Sequence, residues 1–355
     1  MIQNPVNLRP MRLVELLDAA FRLYRRNFLT FIGIMALMQV PISLLTLGSS
    51  FLTVQGVQTL TTSSGMPGPQ YFLGIGASLL VGLLSFFLVR GVATAALTHS
   101  IASSSLGSQI SILESYRKMG SSVGTLLLSL FLAGLLQLGL MLWFLIPCIG
   151  WVSGLGMLIY VAFVIIELIV PVVILEKCGA SAALRRAWEL ARQRFWWFLG
   201  LTGVLYLLNL VLVGPMLLIS SALGGILTNT GMGNLDMTTL TMLNAALQSL
   251  LTMLVTILYY PLQLTVIILA YFDLRIRHEG FDLALQSLNN TEYPDPVDGI
   301  VAVPAAPQQK SLITGMEFGY FVIVTLGGAL LLAVVYGLLA LVGIGMMGLF
   351  NGSGL

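Results

Sequence analysis

Long, continuously apolar runs recur along the chain at about 28–54, 71–99, 121–146, 151–175, 195–221 and 240–272, and again within 318–350. Each is long enough to span a bilayer, for which about 20 apolar residues in a helix suffice. In lipid every backbone N–H and C=O must pair internally, which leaves a helix bundle or a closed barrel. The runs are Leu-rich and do not alternate apolar with polar positions, so a barrel is excluded. Pro41 predicts a kink in the first run, and a turn at 147–150 joins the third to the fourth.

Between the apolar runs the periodicity changes. In 9–27, Leu13, Val14, Leu17, Ala20, Phe21 and Tyr24 fall on one helical face and Arg12, Glu15, Asp18, Arg22, Arg25 and Arg26 on the other. This predicts an amphipathic helix lying at the membrane surface and leading into the first span. Similar elbows precede the third and fifth spans, at 108–120, where Ser111 and Glu114 have capping-box spacing, and at 176–194. A shift of 167 residues superposes Leu17 on Leu184, Ala20 on Ala187, Leu23 on Leu190, Arg25 on Arg192, Phe28 on Phe195 and Gly33 on Gly200. A shift of 95 places Leu17 on Ile112 and Phe21 on Tyr116, a weaker match. The reading is three units, each a surface helix followed by a hairpin of two spans. All three start on the same side, unlike the inverted repeats common in secondary transporters.

The fold class expected is therefore all-α: a polytopic integral membrane protein with a six-helix core and a seventh, appended transmembrane helix. Residues 1–288 form the six-span domain and 289–311 a flexible cytoplasmic linker, Pro-containing and polar. Residues 312–355 form the appended helix and a short outer tail.

Composition agrees, with 57% hydrophobic and only 8% charged residues and a mean hydropathy of +0.97. The net charge of +2 says little, but its placement is informative. Every Lys and Arg except Arg90 falls on one side of the expected topology, which the positive-inside rule makes cytoplasmic. The N-terminus is then cytoplasmic and the C-terminus outside. Cys148 and Cys178 fall on opposite sides, so no disulfide between them is expected. The first apolar run is too long for a signal-peptide core and has no small-residue cleavage site.

Against so low a charge density, 271–285 stands out, with Tyr271, Asp273, Arg275, Arg277, Glu279 and Asp282 in one short stretch, YFDLRIRHEGFDLAL. Two readings suit it: a patch of carboxylates and a histidine (His278) near lipid phosphates, or a charged helix end that pairs with the basic elbows. Together with the first elbow (ELLDAAFRLYRRNF) and the third (ALRRAWELARQRFWWF), it resembles the glycerophosphoryl diester phosphodiesterase membrane domain family over about 10–285. The resemblance implies a six-helix domain of the bacterial inner membrane. The family's name comes from members fused to a catalytic barrel, for which this chain has no residues to spare, so the activity is not carried over.

No His/Cys/carboxylate spacing suits a metal, and no nucleophile elbow or phosphate loop is present, so no catalytic residue, metal or cofactor is assigned. Small residues at Gly74, Ser78 and Gly82 in the second span, and at Ala329, Ala333 and Gly337 in the seventh, read as close-packing faces. Arg90 and Glu167 are the only charged side chains deep in the spans; their similar depth and opposite sign predict an intramembrane ion pair. Arg25, Arg26, Arg185, Arg186, Trp188, Arg192, Arg194, Trp196 and Trp197 are expected at the lipid interface, facing anionic lipid. The expected partners are thus membrane lipids, and other membrane proteins through the seventh span, with no nucleic acid. The function expected is a non-catalytic scaffold or accessory subunit of a membrane assembly. A transporter or lipid-handling protein is the alternative, and an enzyme of lipid head groups ranks third. A continuous polar cavity at mid-membrane would favour the alternative, and a packed bundle with an exposed seventh span the scaffold.

Overall fold

A computed structural model describes residues 10–62, 68–108, 110–120, 122–229, 237–283, 297, 300–301, 314–330 and 333. Among these the chain is all-α, and six helices are long and apolar enough to cross a membrane. The protein is a polytopic membrane protein.

The first unit is α1 (Leu13–Arg26), α2 (Phe28–Thr62) and a membrane helix built of α3 (Pro69–Ser85), a π-helical segment (Phe86–Ala93) and α4 (Thr94–Ser105). The second is α5 (Ile112–Lys118), α6 (Val123–Phe144) and a membrane helix of α7 (Ile149–Tyr160), a second π-helical segment (Val161–Ile165) and α8 (Ile166–Glu176). The third is α9 (Ala180–Gln193), α10 (Phe195–Asn229) and α11 (Met237–Glu279). A shorter apolar helix, α12 (Gly315–Leu330), begins the expected seventh span; its continuation lies outside the described residues, apart from Ala333.

The first and third units match residue for residue at the shift of 167. Leu13–Arg26 maps onto Ala180–Gln193, and Phe28–Thr62 onto Phe195–Asn229. The breaks between elbow and span also coincide, at Asn27 (φ −113°) and Arg194 (φ −136°), as do the extended N-caps Arg12 and Gly179. The middle elbow is shorter, and the Ser111 hydroxyl caps it by accepting the Glu114 N–H at 3.3 Å.

Two membrane helices form the centre. In their most apolar windows, Ile149–Glu176 and Thr239–Glu279 are each 72% buried, against 17–28% for the other four, whose leucines and phenylalanines face outward. A lipid-facing surface needs no polar dressing, so an exposed apolar belt is the expected outer face of such a bundle. Close approach of α2 and α3 depends on Gly74, where a Cβ would lie 2.7 Å from the Thr53 Cα. Thr53 Oγ1 also lies 3.2 Å from Ser78 Oγ, whereas Gly82 faces open space. The expected small-residue face is therefore used at two of its three positions.

Three boundaries differ from those read in the sequence. α2 continues to Thr62, past the expected end at 54. The second span continues from His99 to Ser105, and all of Thr94–Ser105 is buried. Hydroxyls there bond back into their own helix: Thr98 donates to Thr94 O at 2.7 Å and Ser105 to Ala102 O at 2.6 Å, so a Ser/Thr-rich stretch stays helical inside the bundle. Finally, Val297 and Ile300, within the segment expected as a flexible linker, are buried in the main core cluster. Removing apolar side chains from water lowers the free energy, and that holds these positions against the core.

Candidate functional site: a polar cavity within the bundle

The charged motif of α11 is structural in its surroundings. Asp273, fully buried, accepts the Met11 N–H at 2.8 Å and Arg277 Nε at 2.9 Å, with Arg194 Nη1 at 3.5 Å. Arg277 Nη2 in turn donates to Met11 O at 2.8 Å. One carboxylate thus ties the start of α1, the α9–α10 elbow and the end of α11.

On the neighbouring face a second group closes. Arg186 Nε donates to both oxygens of Glu176, at 3.2 and 3.1 Å, and its Nη2 pairs with Glu279. Arg275 donates to Glu279 at 2.9 Å and to the Tyr271 hydroxyl at 3.2 Å, and that hydroxyl donates to Glu176 at 2.9 Å. Two arginines and two glutamates balance in charge, which a buried set requires. Burial alone would lower the Arg186 pKa, but Glu176 and Glu279 outweigh it and the net direction is upward. Of the six motif residues, Tyr271, Asp273, Arg275, Arg277 and Glu279 enter these two groups. Asp282 lies past Gly280 (φ 62°) and belongs to neither.

The residues expected at the lipid interface divide. Arg25, Arg26, Arg185 and Trp196 are exposed. Arg26 also donates to Ser104 O at 3.0 Å. Arg186 corrects the expectation: it is 3% exposed and committed to Glu176 and Glu279, because the ends of α8 and α11 bring those carboxylates beneath α9. Arg192 turns to Glu317 of α12 at 2.6 Å, and Trp188 packs edge-on to Tyr160. Arg194 stacks over Trp197 at 4.8 Å, with both half-buried.

Higher in the bundle the structure brings Arg90 and Glu167 together, with Nη1 3.9 Å from Oε1. Arg90 lies inside the first π-helical segment, and Glu167 follows two residues after the second. A π-helix displaces the helical register and re-aims a side chain, and such segments concentrate at functional sites. The Tyr206 hydroxyl donates to Glu167 at 3.4 Å, and the Arg90 guanidinium stands 5.6 Å from the centre of the Tyr260 ring. The pair is asymmetric: the Glu167 side chain is 3% exposed and that of Arg90 50%.

Arg90 and Glu167 both line a cavity of about 290 Å³. Its wall is shared by α2 (Met35), the first π-helical segment, α8, α10 (Tyr206, Asn209, Val213) and α11. On α11 the lining runs from Gln263 through Tyr260, Tyr259 and Thr256 to Thr252. Successive lining positions on α10 and α11 lead away from the end that carries the charged groups of Asp273 and Glu176. The cavity therefore extends into the half of the bundle opposite them. A volume of this size admits a small molecule or the polar end of a larger one, and its few polar groups among apolar walls are typical of ligand sites.

Sequence reading reached the two charges but not the rest of the wall. Asn209 and Gln263, amides within apolar runs, were the available signal. Tyr206, Tyr259 and Tyr260 carry no periodic mark that separates a lining tyrosine from an interface one.

Fold and site define the class: an all-α, multi-pass membrane protein with an open, largely apolar cavity beside an ion pair. No family model matches the chain, and no curated protein or solved structure matches it.

Proposed function

We propose that this protein is a non-catalytic membrane protein that binds, and passes between bilayer and bundle, a small amphipathic molecule; this is the lipid-handling reading. One observation carries it: a half-exposed arginine lining a largely apolar cavity with a few polar groups in a membrane bundle. A charge at the bilayer centre costs about 2.5–3.5 kcal/mol on insertion scales, which a purely structural pair would offset by close, hydrogen-bonded pairing. Here only Glu167 is buried, and Arg90 is half-exposed and lines the cavity.

The scaffold reading had its own requirement, a packed bundle with an exposed seventh span. The start of that span docks one face on the core through Glu317, Phe321 and Thr325 and leaves Met316, Ile323, Leu326 and Leu330 exposed, so it serves both readings and the cavity carries the choice. The exposed arginines Arg25, Arg26 and Arg185 suit contact with anionic lipid on the face carrying the elbows. With the one-sided distribution of basic residues, this supports a bacterial inner-membrane location with the elbows cytoplasmic.

The test is native mass spectrometry of the full chain extracted in mild detergent, comparing wild type with Asn209→Trp, which fills the cavity. The expected result is a bound amphiphile in the wild type and its loss in the variant, with both proteins folded. Equal occupancy in both would overturn the reading.

A further inference from the structure

The geometry points to Arg90 as the anchor for an anionic head group, a carboxylate or phosphate, with Glu167 as a resident counter-ion that the ligand displaces. This rests on the ligand-cavity reading and names the class of molecule the cavity takes.

Three observations carry it. First, the pair is loose. A guanidinium has five N–H donors in a fork that matches carboxylate and phosphate oxygens, and charge-assisted bonds of that kind close to about 2.7–2.9 Å. Arg90 and Glu167 stand at 3.9 Å, so this contact leaves most of the fork's capacity directed elsewhere. By contrast, Arg186, Arg275 and Arg277 each have at least one carboxylate contact at 2.9–3.2 Å, whereas 3.9 Å is the one carboxylate contact of Arg90 among the described residues.

Second, Glu167 has a place to stay once displaced. Tyr206 already donates to it, and the carboxylate sits in a buried pocket on α8. Third, the cavity that Arg90 lines offers donors rather than acids. Asn209, Thr252 and Gln263 offer amides and a hydroxyl to an anion, while the Thr256 hydroxyl donates to Thr252 O at 2.8 Å, and Glu167 is the one carboxylate among the described lining residues. The guanidinium also stands 5.6 Å from the centre of the Tyr260 ring, a contact that leaves its positive charge unneutralised. A cation would meet a repelling Arg90, and a neutral ligand would gain nothing from parting the pair.

The experiment uses the full chain in phosphatidylcholine nanodiscs. A diazirine-bearing C16 fatty acid and its methyl ester are photocrosslinked at matched concentrations, and labelled peptides are mapped. The acid is expected to label cavity-lining peptides of α10 and α11 at least about tenfold more than the ester. Arg90→Gln is expected to remove that preference, so that acid and ester label the cavity equally. Glu167→Gln, which keeps the shape and removes the competitor, is expected to tighten acid binding about tenfold; this arm stands even if Arg90→Gln fails to fold. Dodecyl phosphate, acetate and inorganic phosphate then compete against the acid. Competition by the free anions supports an anion site open to water, and competition by the amphiphile alone supports one fed from the bilayer. Equal labelling by acid and ester, or unchanged or weaker acid binding in Glu167→Gln, would overturn the anion proposal while leaving the ligand cavity standing. Absence of cavity labelling by either probe would overturn both.

Discussion

The backbone N–H of Met11 donates to Asp273 at 2.8 Å across 262 residues of sequence, joining the first amphipathic helix to the end of the last core span. Asp273 has no exposure, and Arg277 and Arg194 draw on the same carboxylate. Replacing it with Ala leaves a buried N–H and two guanidiniums without their acceptor. The two guanidiniums are partly exposed, so the main loss is the buried N–H left without an acceptor, about 1–3 kcal/mol. Asp273→Ala is therefore expected to lower the thermal midpoint of the detergent-solubilised protein well below that of an Asp282→Ala control. A midpoint equal to that of the control would show that Asp273 is not a tie between the elbows.

The four-charge group makes a different demand. Arg186→Met leaves Glu176 and Glu279 facing Arg275 alone, an excess buried negative charge. Arg186→Met combined with Glu279→Gln restores neutrality. Because removing a balanced pair is often near neutral whereas removing one partner is not, the double variant is expected to be more stable than the single. Unfolding midpoints of the single and double variants decide it. A double variant at or below the single would mean that packing, rather than charge balance, governs this corner.

What the sequence reveals and what it hides follow from the same physics. Lipid forces helices and long apolar runs, so the spans can be read directly. Charges within spans are costly and rare, so Arg90 and Glu167 select themselves. The elbows carry their repeat in the alternation of faces. Adjacent arginines on one elbow cannot be ranked in this way. Arg185 faces out and Arg186 in, and the difference lies in Glu176 and Glu279, which only the closed bundle brings near. The π-helical register around Arg90 and before Glu167 likewise has no compositional mark, yet it aims the pair.

Two native cysteines test the membrane sidedness without engineering. Cys148 lies in the turn between α6 and α7, and Cys178 between α8 and α9, at opposite ends of the same membrane helix. A membrane-impermeant maleimide applied to intact cells is expected to reach Cys148, and Cys178 only after permeabilisation. The two also differ in chemistry. Burial first, and then Glu176, pushes the Cys178 thiol up to about 11. Since the thiolate is the reacting species, alkylation of Cys178 in detergent should rise about tenfold per pH unit from pH 8 to 10 without levelling off. A plateau below pH 9, or labelling of Cys178 from outside intact cells, would contradict this arrangement.

The last prediction concerns α12. Its Phe321 ring sits among Tyr160, Trp188 and Phe195, its Thr325 hydroxyl accepts the Gly156 N–H at 2.8 Å, and its Glu317 meets Arg192 at 2.6 Å. These contacts depend on close approach: a Cβ on Gly156 would stand 2.1 Å from the Phe321 carbonyl oxygen, a backbone atom that cannot swing aside. Yet the core groups at Asp273, Glu176 and Arg90 are made entirely within the first three units. Two results should follow. A chain ending at residue 290 should still insert and fold, with a lower thermal midpoint from the loss of Phe321, Val297 and Ile300. Gly156→Leu in the full chain should lower the midpoint towards that of the truncated chain and no further, because it undoes the same docking. Introducing Gly156→Leu into the truncated chain should then add little. If the truncated chain fails to accumulate although its transcript is intact, α12 belongs to the folding core. If Gly156→Leu destabilises the truncated chain as much as the full one, the glycine serves α7 itself rather than its contact with α12.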